Sequence, residues 1–182
     1  TVRGPLDVLP HWLSPARIEA FTHFTLLRGA QVLGAHPNAR VSVNLSPIQL
    51  LLPATLRALE SMLPSVTARL HIEVTEERYS DAPALARPLQ LLRERCGIVL
   101  LDDVTPADLH SRLRFDAPVD GIKVDRSVVN AALYAEGASW EAARGFIRAA
   151  AERFEIVVAE GVEDPSVSED LQALGVSHVQ GF

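Results

Sequence analysis

Two adjacent aspartates, Asp102 and Asp103, directly follow the apolar run 98–101 and are the strongest candidates for chemistry in this sequence. Neighbouring carboxylates repel each other when both are ionised and poorly solvated. A divalent cation removes that repulsion, and hard cations such as Mg²⁺ prefer carboxylate oxygens. The pair therefore indicates either a cation site or one aspartate that fixes the following turn. Because Thr105 already supplies a helix cap, capping alone does not explain both.

Polar or ionisable residues also end five further apolar runs, and they are Asn44, Glu73, Lys123, Glu160 and Gln180. An isolated polar residue would mean little, but the same placement in six runs indicates a site. Glu73 would join a cation cluster, unless it belongs to a solvated acidic loop, and Glu76 would anchor neighbouring backbone. Glu160 is a candidate general base or metal ligand. Gln180 is a candidate hydrogen-bond donor to a bound ligand.

Asn44 and Lys123 each have a functional and a structural interpretation. The Asn44 amide would either ligate a cation or cap its own turn, as Asn often does. Lys123 interrupts an apolar strand, so its ammonium must reach a carboxylate, a phosphate or the mouth of a barrel. The structural alternative is a salt bridge from Lys123 to Asp102 or Asp125.

The apolar runs predict short parallel strands, because they are nearly continuous rather than alternating, as in strands covered by helices. Helices are predicted at about 15–34, 48–62, 82–95, 106–114, 138–153 and 165–174, with a loop at about 129–139. Ser46, Pro47 and Gln49 predict a capping box at the second helix. Gly97 and Gly175 are predicted to end helices in the left-handed conformation.

Alternation of strands and helices predicts an α/β fold in which all strand carboxyl ends lie on one face. The predicted fold class is a TIM-like (β/α) barrel with about six parallel strands, incomplete because a closed barrel of this kind has about eight. We expect a single domain over residues 1–182. It would lack its N-terminal strand or strands and its C-terminal helices.

Composition excludes several classes of protein. The net charge of −6 and a pI near 5.5 argue against a general nucleic-acid-binding protein, which would carry a basic face. An acidic cleft can still bind an anionic substrate through divalent cations. The single cysteine, Cys96, rules out an intrachain disulfide. No apolar run reaches the roughly 18 residues that a membrane-spanning helix needs.

The ordered motifs resemble the EAL domain family over most of the chain. They are Asn44-Leu45-Ser46, Glu73-Val74-Thr75-Glu76, Asp102-Asp103, Lys123-Val124-Asp125, Glu160-Gly161-Val162-Glu163 and Gln180-Gly181-Phe182. The resemblance implies a modified TIM barrel and two-metal hydrolysis of cyclic di-GMP to the linear dinucleotide with Mg²⁺ or Mn²⁺. It also implies a bacterial, cytoplasmic signalling protein, a homodimer, and a sensory or GGDEF-type domain fused outside this chain, with a membrane anchor on some parent proteins.

The resemblance also implies a role for each matched residue. Asn44, Glu73 and Asp102 would bind the first metal, and Asp103 the second. Lys123 would orient the attacking water and the phosphate, while Glu160 would contribute to the metal site or activate the water. By the same resemblance, Gln180 would lie near the pocket, and Glu76 would anchor the loop that follows the aspartate pair.

Two departures from the family pattern bear on activity. The sequence contains no Glu-Ala-Leu or Glu-Val-Leu tripeptide, whose glutamate is a metal ligand in the family. After the aspartates, the chain reads Val104-Thr105-Pro106-Ala107-Asp108 instead of Phe-Gly-Thr-Gly. Pro106 restricts both its own backbone and that of Thr105, so the loop is predicted to couple differently to the metals.

Three interpretations of function follow. In the first, the complete domain is a cyclic di-GMP phosphodiesterase whose missing glutamate lies upstream of Thr1, so the 182-residue chain itself would be weakly active or inactive. In the second, a degenerate, non-catalytic EAL domain binds cyclic di-GMP or a protein partner as a signalling module. In the third, the chain is another metal-dependent barrel hydrolase or lyase.

Overall fold

Strands and helices alternate along residues 14–75, 83–109 and 117–181, the ranges described by a computed structural model of the protein. The strands are β1 (Val41–Leu45), β2 (Leu70–Val74), β3 (Ile98–Val104), β4 (Gly121–Val124), β5 (Ile156–Glu160) and β6 (His178–Gln180). The helices are α1 (Pro15–Ala35), α2 (Pro47–Leu50), α3 (Pro53–Ser61), α4 (Pro64–Thr67), α5 (Pro83–Arg95), α6 (Arg126–Tyr134), α7 (Gly137–Arg153) and α8 (Ser168–Gln172). Two 3₁₀ turns lie at Pro106–Leu109 and Pro165–Val167.

The six strands form one parallel sheet in the order β1-β2-β3-β4-β5-β6. Each strand pairs with the next strand along the chain, and the sheet curls into half of a barrel with alternating helices. Parallel neighbours of this kind need a crossover between them, which the helices supply. The predicted TIM-like barrel with about six parallel strands is therefore confirmed.

The hydrophobic core lies between the sheet and the helices. Leu26 and Leu33 of α1, Leu59 of α3 and Ile147 of α7 are fully buried. Burial of one such side chain stabilises a fold by about 1.5–3 kcal/mol. Strand β4 is buried along its whole length. A charged residue in that strand therefore needs partners of its own.

Two helix predictions were wrong. Residues 129–139 were predicted to form a loop, but they contain the end of α6 and the start of α7. The predicted helix at 48–62 is divided into α2 and α3, because Pro53 begins a new helix rather than continuing the old one. In the predicted helix at 106–114, the structure has a 3₁₀ turn over Pro106–Leu109. The rest of that prediction lies outside the described residues.

The two glycines predicted to end helices have different roles. Gly175 has a φ of +95°, the left-handed conformation that was predicted. Gly97 is not among the residues with positive φ, so that prediction was wrong. A Cβ atom on Gly97 would lie 2.4 Å from the Ala68 carbonyl oxygen. Gly97 is therefore required by close backbone packing and not by its dihedral angles.

Arg69, directly before β2, binds four backbone carbonyls at the amino end of the sheet. Its Nε donates to the Ser65 oxygen at 3.1 Å. Its Nη1 donates to His36 at 2.8 Å and to Ala39 at 3.2 Å, and its Nη2 donates to Leu33 at 2.8 Å. The guanidinium thus joins the end of α1 and the start of β1 to the segment that enters β2.

Asp120, directly before β4, has a similar place on the other side of β3. Its Oδ2 accepts from the Val99 backbone N–H at 2.8 Å, and its Oδ1 accepts from Arg93 Nε at 3.1 Å. The Asp120 backbone N–H donates to the Val99 oxygen at 2.9 Å. This carboxylate therefore fixes the register with which β3 and β4 begin.

Within the part of the chain that the structure describes, no helix has both the length and the apolar composition that crossing a membrane requires.

Candidate functional site

The predicted functional residues lie together at the carboxyl end of the sheet. This holds for every candidate inside the described ranges, which are Asn44, Glu73, Asp102, Asp103, Lys123, Glu160 and Gln180. Glu76 lies outside the described residues, so its predicted loop-anchoring role stays a prediction. In a parallel barrel, the carboxyl ends of the strands are the edge where ligands bind.

Strand register aligns these residues in neighbouring pairs. Asn44 of β1 lies opposite Glu73 of β2, and Glu160 of β5 lies opposite Gln180 of β6. Side chains of directly paired residues on a sheet lie close enough to bind one ligand. Asn44 and Gln180 are both exposed, whereas the charged residues between them are buried or half-buried. The middle of the edge is therefore the more enclosed part of the site.

Lys123 is the centre of the charged cluster. Its Nζ donates to Asp102 Oδ1 at 2.7 Å and to Glu73 Oε2 at 3.0 Å, and it also pairs with Glu160 Oε1. The Lys123 side chain is only 5% exposed, while those of Asp102, Glu160 and Glu73 are 11%, 14% and 17% exposed. Three donor protons on one ammonium match three carboxylate partners. The predicted salt bridge to Asp102 is therefore present.

Asp125, the other predicted partner of Lys123, has a different role. Its carboxylate accepts from the Ser127 backbone N–H at 2.8 Å and also contacts the Ser127 hydroxyl. Asp125 is therefore the N-cap of α6, and this cap stabilises the start of a helix that the sequence pattern did not predict. An Asp directly before a run of helix-compatible residues was the signal that could have found it.

Lys123 is the only lysine in the 182-residue sequence, and every other basic side chain apart from the histidines is an arginine. An ammonium is a compact charge with three donors, whereas a guanidinium is a wide planar fork. The space between three converging carboxylates on three different strands suits the compact group. The residue type is thus explained by the geometry of its partners.

Asp103 owes its position to an irregularity in β3. The register between β3 and β4 shifts between Leu101 and Val104, as in a β-bulge. Within that irregular segment, Asp103 has a φ of +51°, the left-handed region that is costly for a residue other than glycine. The Asp103 carboxylate thereby lies close to the Asp102 carboxylate, although the two residues are adjacent in a strand. Carboxylate oxygens of Asp102, Asp103 and Glu160 all lie within 4.8 Å of one another.

The pKa values reflect this crowding of charge. Burial alone would lower the pKa of Lys123, but hydrogen bonds to Asp102, Glu160 and Glu73 outweigh it, and the pKa is raised well above its usual range. Lys123 therefore stays protonated at any physiological pH. Burial raises the pKa of Glu160, Lys123 partly offsets that effect, and the charges on Asp102 and Asp103 raise the pKa further.

The donor set suits hard divalent cations. Four carboxylates and one ammonium carry a net charge of −3 when all are ionised, since four negative charges are offset by one positive charge. Carboxylates together with a neutral amide oxygen such as that of Asn44 are the ligands that Mg²⁺ and Mn²⁺ prefer. Within the described residues, the Asp102-Asp103-Glu160 group is spaced closely enough for its three carboxylates to hold one metal ion.

An ion pair between Arg126 and Glu163 holds the loop after β5, and the sequence did not predict it. Arg126 Nη2 donates to Glu163 Oε1 at 2.8 Å, and the Arg126 stem lies against Gly161. Gly161 has a φ of +69°, and a Cβ atom there would lie 2.4 Å from Arg126 Cγ. The glycine directly after Glu160 was the signal for this close approach.

A half-barrel of parallel strands with carboxylates and one lysine at its carboxyl edge defines a class of β/α barrel proteins with an acidic site at the strand ends. Comparison with protein families identifies the family within that class to which the chain belongs. The EAL domain matches residues 11–182, and the chain belongs to the EAL domain family. Comparison with curated protein sequences finds no significant match.

Solved structures of EAL proteins have the same fold. PaMucR phosphodiesterase, solved as a c-di-GMP complex, is 24% identical with a TM-score of 0.75, over 98% of this chain and 81% of that one. The FimX EAL domain of Xanthomonas citri, also in complex with c-di-GMP, is 17% identical with a TM-score of 0.76, over 97% and 71%. Klebsiella pneumoniae BlrP1, solved with manganese and c-di-GMP, is 23% identical with a TM-score of 0.69, over 98% and 47%.

Proposed function

We propose that the domain hydrolyses cyclic di-GMP to the linear dinucleotide, with two divalent cations bound at the carboxyl edge of the sheet. The observation that carries the proposal is the convergence of Glu73, Asp102 and Glu160 on Lys123, beside Asp103. The chain belongs to the EAL domain family, and PaMucR, a phosphodiesterase of similar fold, was solved with c-di-GMP. The donor set and the family support the same chemistry.

The residues would divide between two cations, Mg²⁺ or Mn²⁺. Asn44, Glu73 and Asp102 would hold the first cation, and Asp103 would hold the second. When bound, such cations neutralise the phosphate, and they lower the pKa of water that they contact. They would also balance the net negative charge of the cluster, which otherwise opposes the binding of an anionic dinucleotide.

Lys123 and Glu160 would have separate tasks in the reaction. The ammonium of Lys123 stays protonated, so it cannot accept a proton. It instead holds three carboxylates in place and offers positive charge to the phosphate. Glu160, whose pKa is raised, is better suited to accept the proton of a water molecule. Gln180, beside Glu160 in register, would donate to the bound nucleotide.

The overall step is a balanced hydrolysis. The oxygen of one water molecule forms a bond to phosphorus as one phosphorus–oxygen ester bond of the ring breaks. One proton of the water ends on the leaving alcohol, either directly or after a transfer through Glu160. The product is a linear dinucleotide with one new hydroxyl and one new terminal phosphate.

A non-catalytic domain that binds cyclic di-GMP or a protein partner is the second candidate, and one specific observation favours it. The loop after Asp103 is stabilised by its own residues, because Asp108 Oδ2 accepts from the Thr105 backbone N–H at 2.7 Å and from its hydroxyl at 3.1 Å. A loop fixed in this way would respond less to metals bound at Asp103. Dimerisation and a fused sensory or GGDEF-type domain stay predictions.

Turnover of cyclic di-GMP by the purified full-length protein tests the proposal. The protein is incubated with Mn²⁺ or Mg²⁺, and the products are separated by chromatography. An Asp102→Asn variant removes one charge from the cluster, and Asp170→Asn makes the same change at an exposed site on α8. Linear dinucleotide from the wild type and from Asp170→Asn, but not from Asp102→Asn, supports hydrolysis. A folded wild type that binds cyclic di-GMP and gives no product would favour the non-catalytic candidate.

A further inference from the structure

A chain of hydrogen bonds, buried at its centre, links helix α1 to Ser46, the N-cap of α2, two residues after Asn44. Gln49, in α2, is buried, and both ends of its amide are engaged. Its Oε1 accepts from the Ser46 backbone N–H at 2.8 Å, and its Nε2 donates to Thr22 Oγ1 at 2.7 Å. The Thr22 hydroxyl in turn donates to the Ile18 oxygen at 2.7 Å. Each polar group in this chain therefore has a partner.

The peptide unit between Leu45 and Ser46 is fixed from both sides. Its carbonyl, on Leu45, accepts from the Thr75 backbone N–H at 3.1 Å, which extends the pairing of β1 with β2. Its N–H, on Ser46, donates to the Gln49 side chain. Leu45 itself is fully buried. This peptide begins one residue after Asn44, so its two hydrogen bonds anchor the end of the strand on which Asn44 lies opposite Glu73.

We propose that Gln49, supported by Thr22, is a positioning residue for Asn44. The inference rests on the proposed function, in which the Asn44 amide oxygen binds a divalent cation. Gln49 touches neither cation nor nucleotide; it acts through the backbone that follows Asn44.

The residue type fits this task better than its closest alternatives. The task needs one acceptor for the Ser46 N–H and one donor for Thr22, both on one side chain of this length. A glutamine amide supplies both, whereas an ionised glutamate lacks the donor and a leucine lacks both. Since a buried amide is costly when it is unpaired, its presence here indicates that both bonds are made.

A double-mutant cycle on Mn²⁺ affinity tests the proposal. Mn²⁺ binding is measured by titration calorimetry for the wild type, Gln49→Leu, Asn44→Ala and the double variant. Loss of a partner that orients a metal ligand typically weakens metal binding about 10–100-fold. We expect at least about tenfold weaker binding for Gln49→Leu in the wild-type background, and no further loss when Asn44 is already alanine.

Two further variants keep the test decisive if Gln49→Leu folds poorly. Thr22→Val preserves volume and removes the hydroxyl that accepts from Gln49 Nε2 and donates to the Ile18 oxygen. The bond from Gln49 to Ser46 is kept, so a weaker effect of about threefold is expected. Gln49→Glu keeps the acceptor for Ser46 and is expected to retain more affinity than Gln49→Leu. Hydrogen exchange at the Ser46 amide, which needs no metal, is expected to be faster in Gln49→Leu.

Equal weakening with and without the Asn44 side chain would overturn the proposal, because it would show a general loss of structure. Unchanged Mn²⁺ affinity in both Gln49→Leu and Thr22→Val would overturn it as well. A wild type that binds no Mn²⁺ would overturn the proposed function and this inference together. In the first two results the wild type still binds Mn²⁺, so only the inference about Gln49 fails. Failure of the proposed function is recognised by the absence of Mn²⁺ binding in the wild type.

Discussion

The two ends of one sheet carry their charges in opposite ways. At the amino end, Arg69 donates to four backbone carbonyls, and Asp120 accepts from the Val99 backbone and from Arg93. At the carboxyl end, Glu73, Asp102 and Glu160 share one ammonium, and Asp103 adds a fourth carboxylate beside them. The charges of Arg69 and Asp120 at the amino end are thus paired with groups of the chain itself. At the carboxyl end, four carboxylates outnumber the single ammonium, so negative charge is in excess.

Within this one sheet, the charges at the amino end therefore stabilise the fold, and those at the carboxyl end are available for function. Hydrogen bonds from charged groups to backbone each stabilise a fold by about 1.5–3 kcal/mol, and they leave nothing to bind a ligand. Partly buried carboxylates that outnumber the positive charges around them lower the stability of the fold. Such an arrangement is found where the carboxylates bind a ligand. The strained backbone at Asp103 is at the same end of the sheet as this excess charge.

Replacement of Lys123 by methionine is expected to have the largest effect. It leaves three partly buried carboxylates without a cation, at a cost of about 3 kcal/mol in the free energy of unfolding without metal. Turnover should also fall by at least about 100-fold. Urea unfolding in the presence of EDTA and the product assay measure the two effects. Lys123→Arg is the matched control for charge, and it should not restore turnover, because the guanidinium does not fit between three carboxylates.

Replacement of Arg69 by methionine should separate the two ends. Four carbonyls lose a charged donor, although some of them can bind water instead, so unfolding should become easier by about 2–3 kcal/mol. Mn²⁺ affinity should stay within about twofold of wild type, because Arg69 lies at the opposite end of the strands. Urea unfolding and calorimetry check both statements. A comparable loss of metal binding would mean that the two ends are not independent.

The pH dependence of stability gives the smallest expected effect. Burial, together with the charges of Asp102 and Asp103, raises the pKa of Glu160 in the folded protein above its usual range. The folded state then holds a proton that the unfolded state has lost. The stabilisation is therefore complete below the ordinary glutamate pKa of about 4.3, and it is lost as the pH rises through the higher folded value.

Urea unfolding of metal-free protein between about pH 4 and 7 measures this effect. Glu160→Gln mimics the protonated side chain, so its stability relative to wild type should increase across that range. A constant difference between the two proteins would show that Glu160 titrates normally in the fold.

The sequence was sufficient for the fold and for the set of strand-end residues, for a physical reason. Buried parallel strands are continuous apolar runs, and a polar residue ending such a run stands out against them. The placement of Glu73, Asp102, Lys123 and Glu160 could be predicted because parallel strands bring their carboxyl ends to one edge. Their assigned chemical roles stay predictions.

Other features depended on contacts between distant segments. The three-carboxylate environment of Lys123 requires four neighbouring strands, β2 to β5, to be in register, and no local pattern specifies that. The role of Gly97 depends on Ala68, which lies in another segment. Helix α6 was missed because its alanine-rich sequence next to Gly137 resembled a loop, although Asp125 caps it. In the same way, the role of Gln49 depends on Thr22, which is 27 residues away.

The most direct test of the central claim is the NMR signal of Lys123 during titration with Mn²⁺. Because Lys123 is the only lysine, protein labelled with ¹³C-lysine gives a single side-chain signal from the candidate site. Bound Mn²⁺ is paramagnetic and broadens signals close to it. We predict that stoichiometric Mn²⁺ removes this signal in the wild type and leaves it visible in Asp102→Asn. A sharp, unchanged signal in the wild type at excess Mn²⁺ would contradict the assignment of this end of the sheet as a metal site.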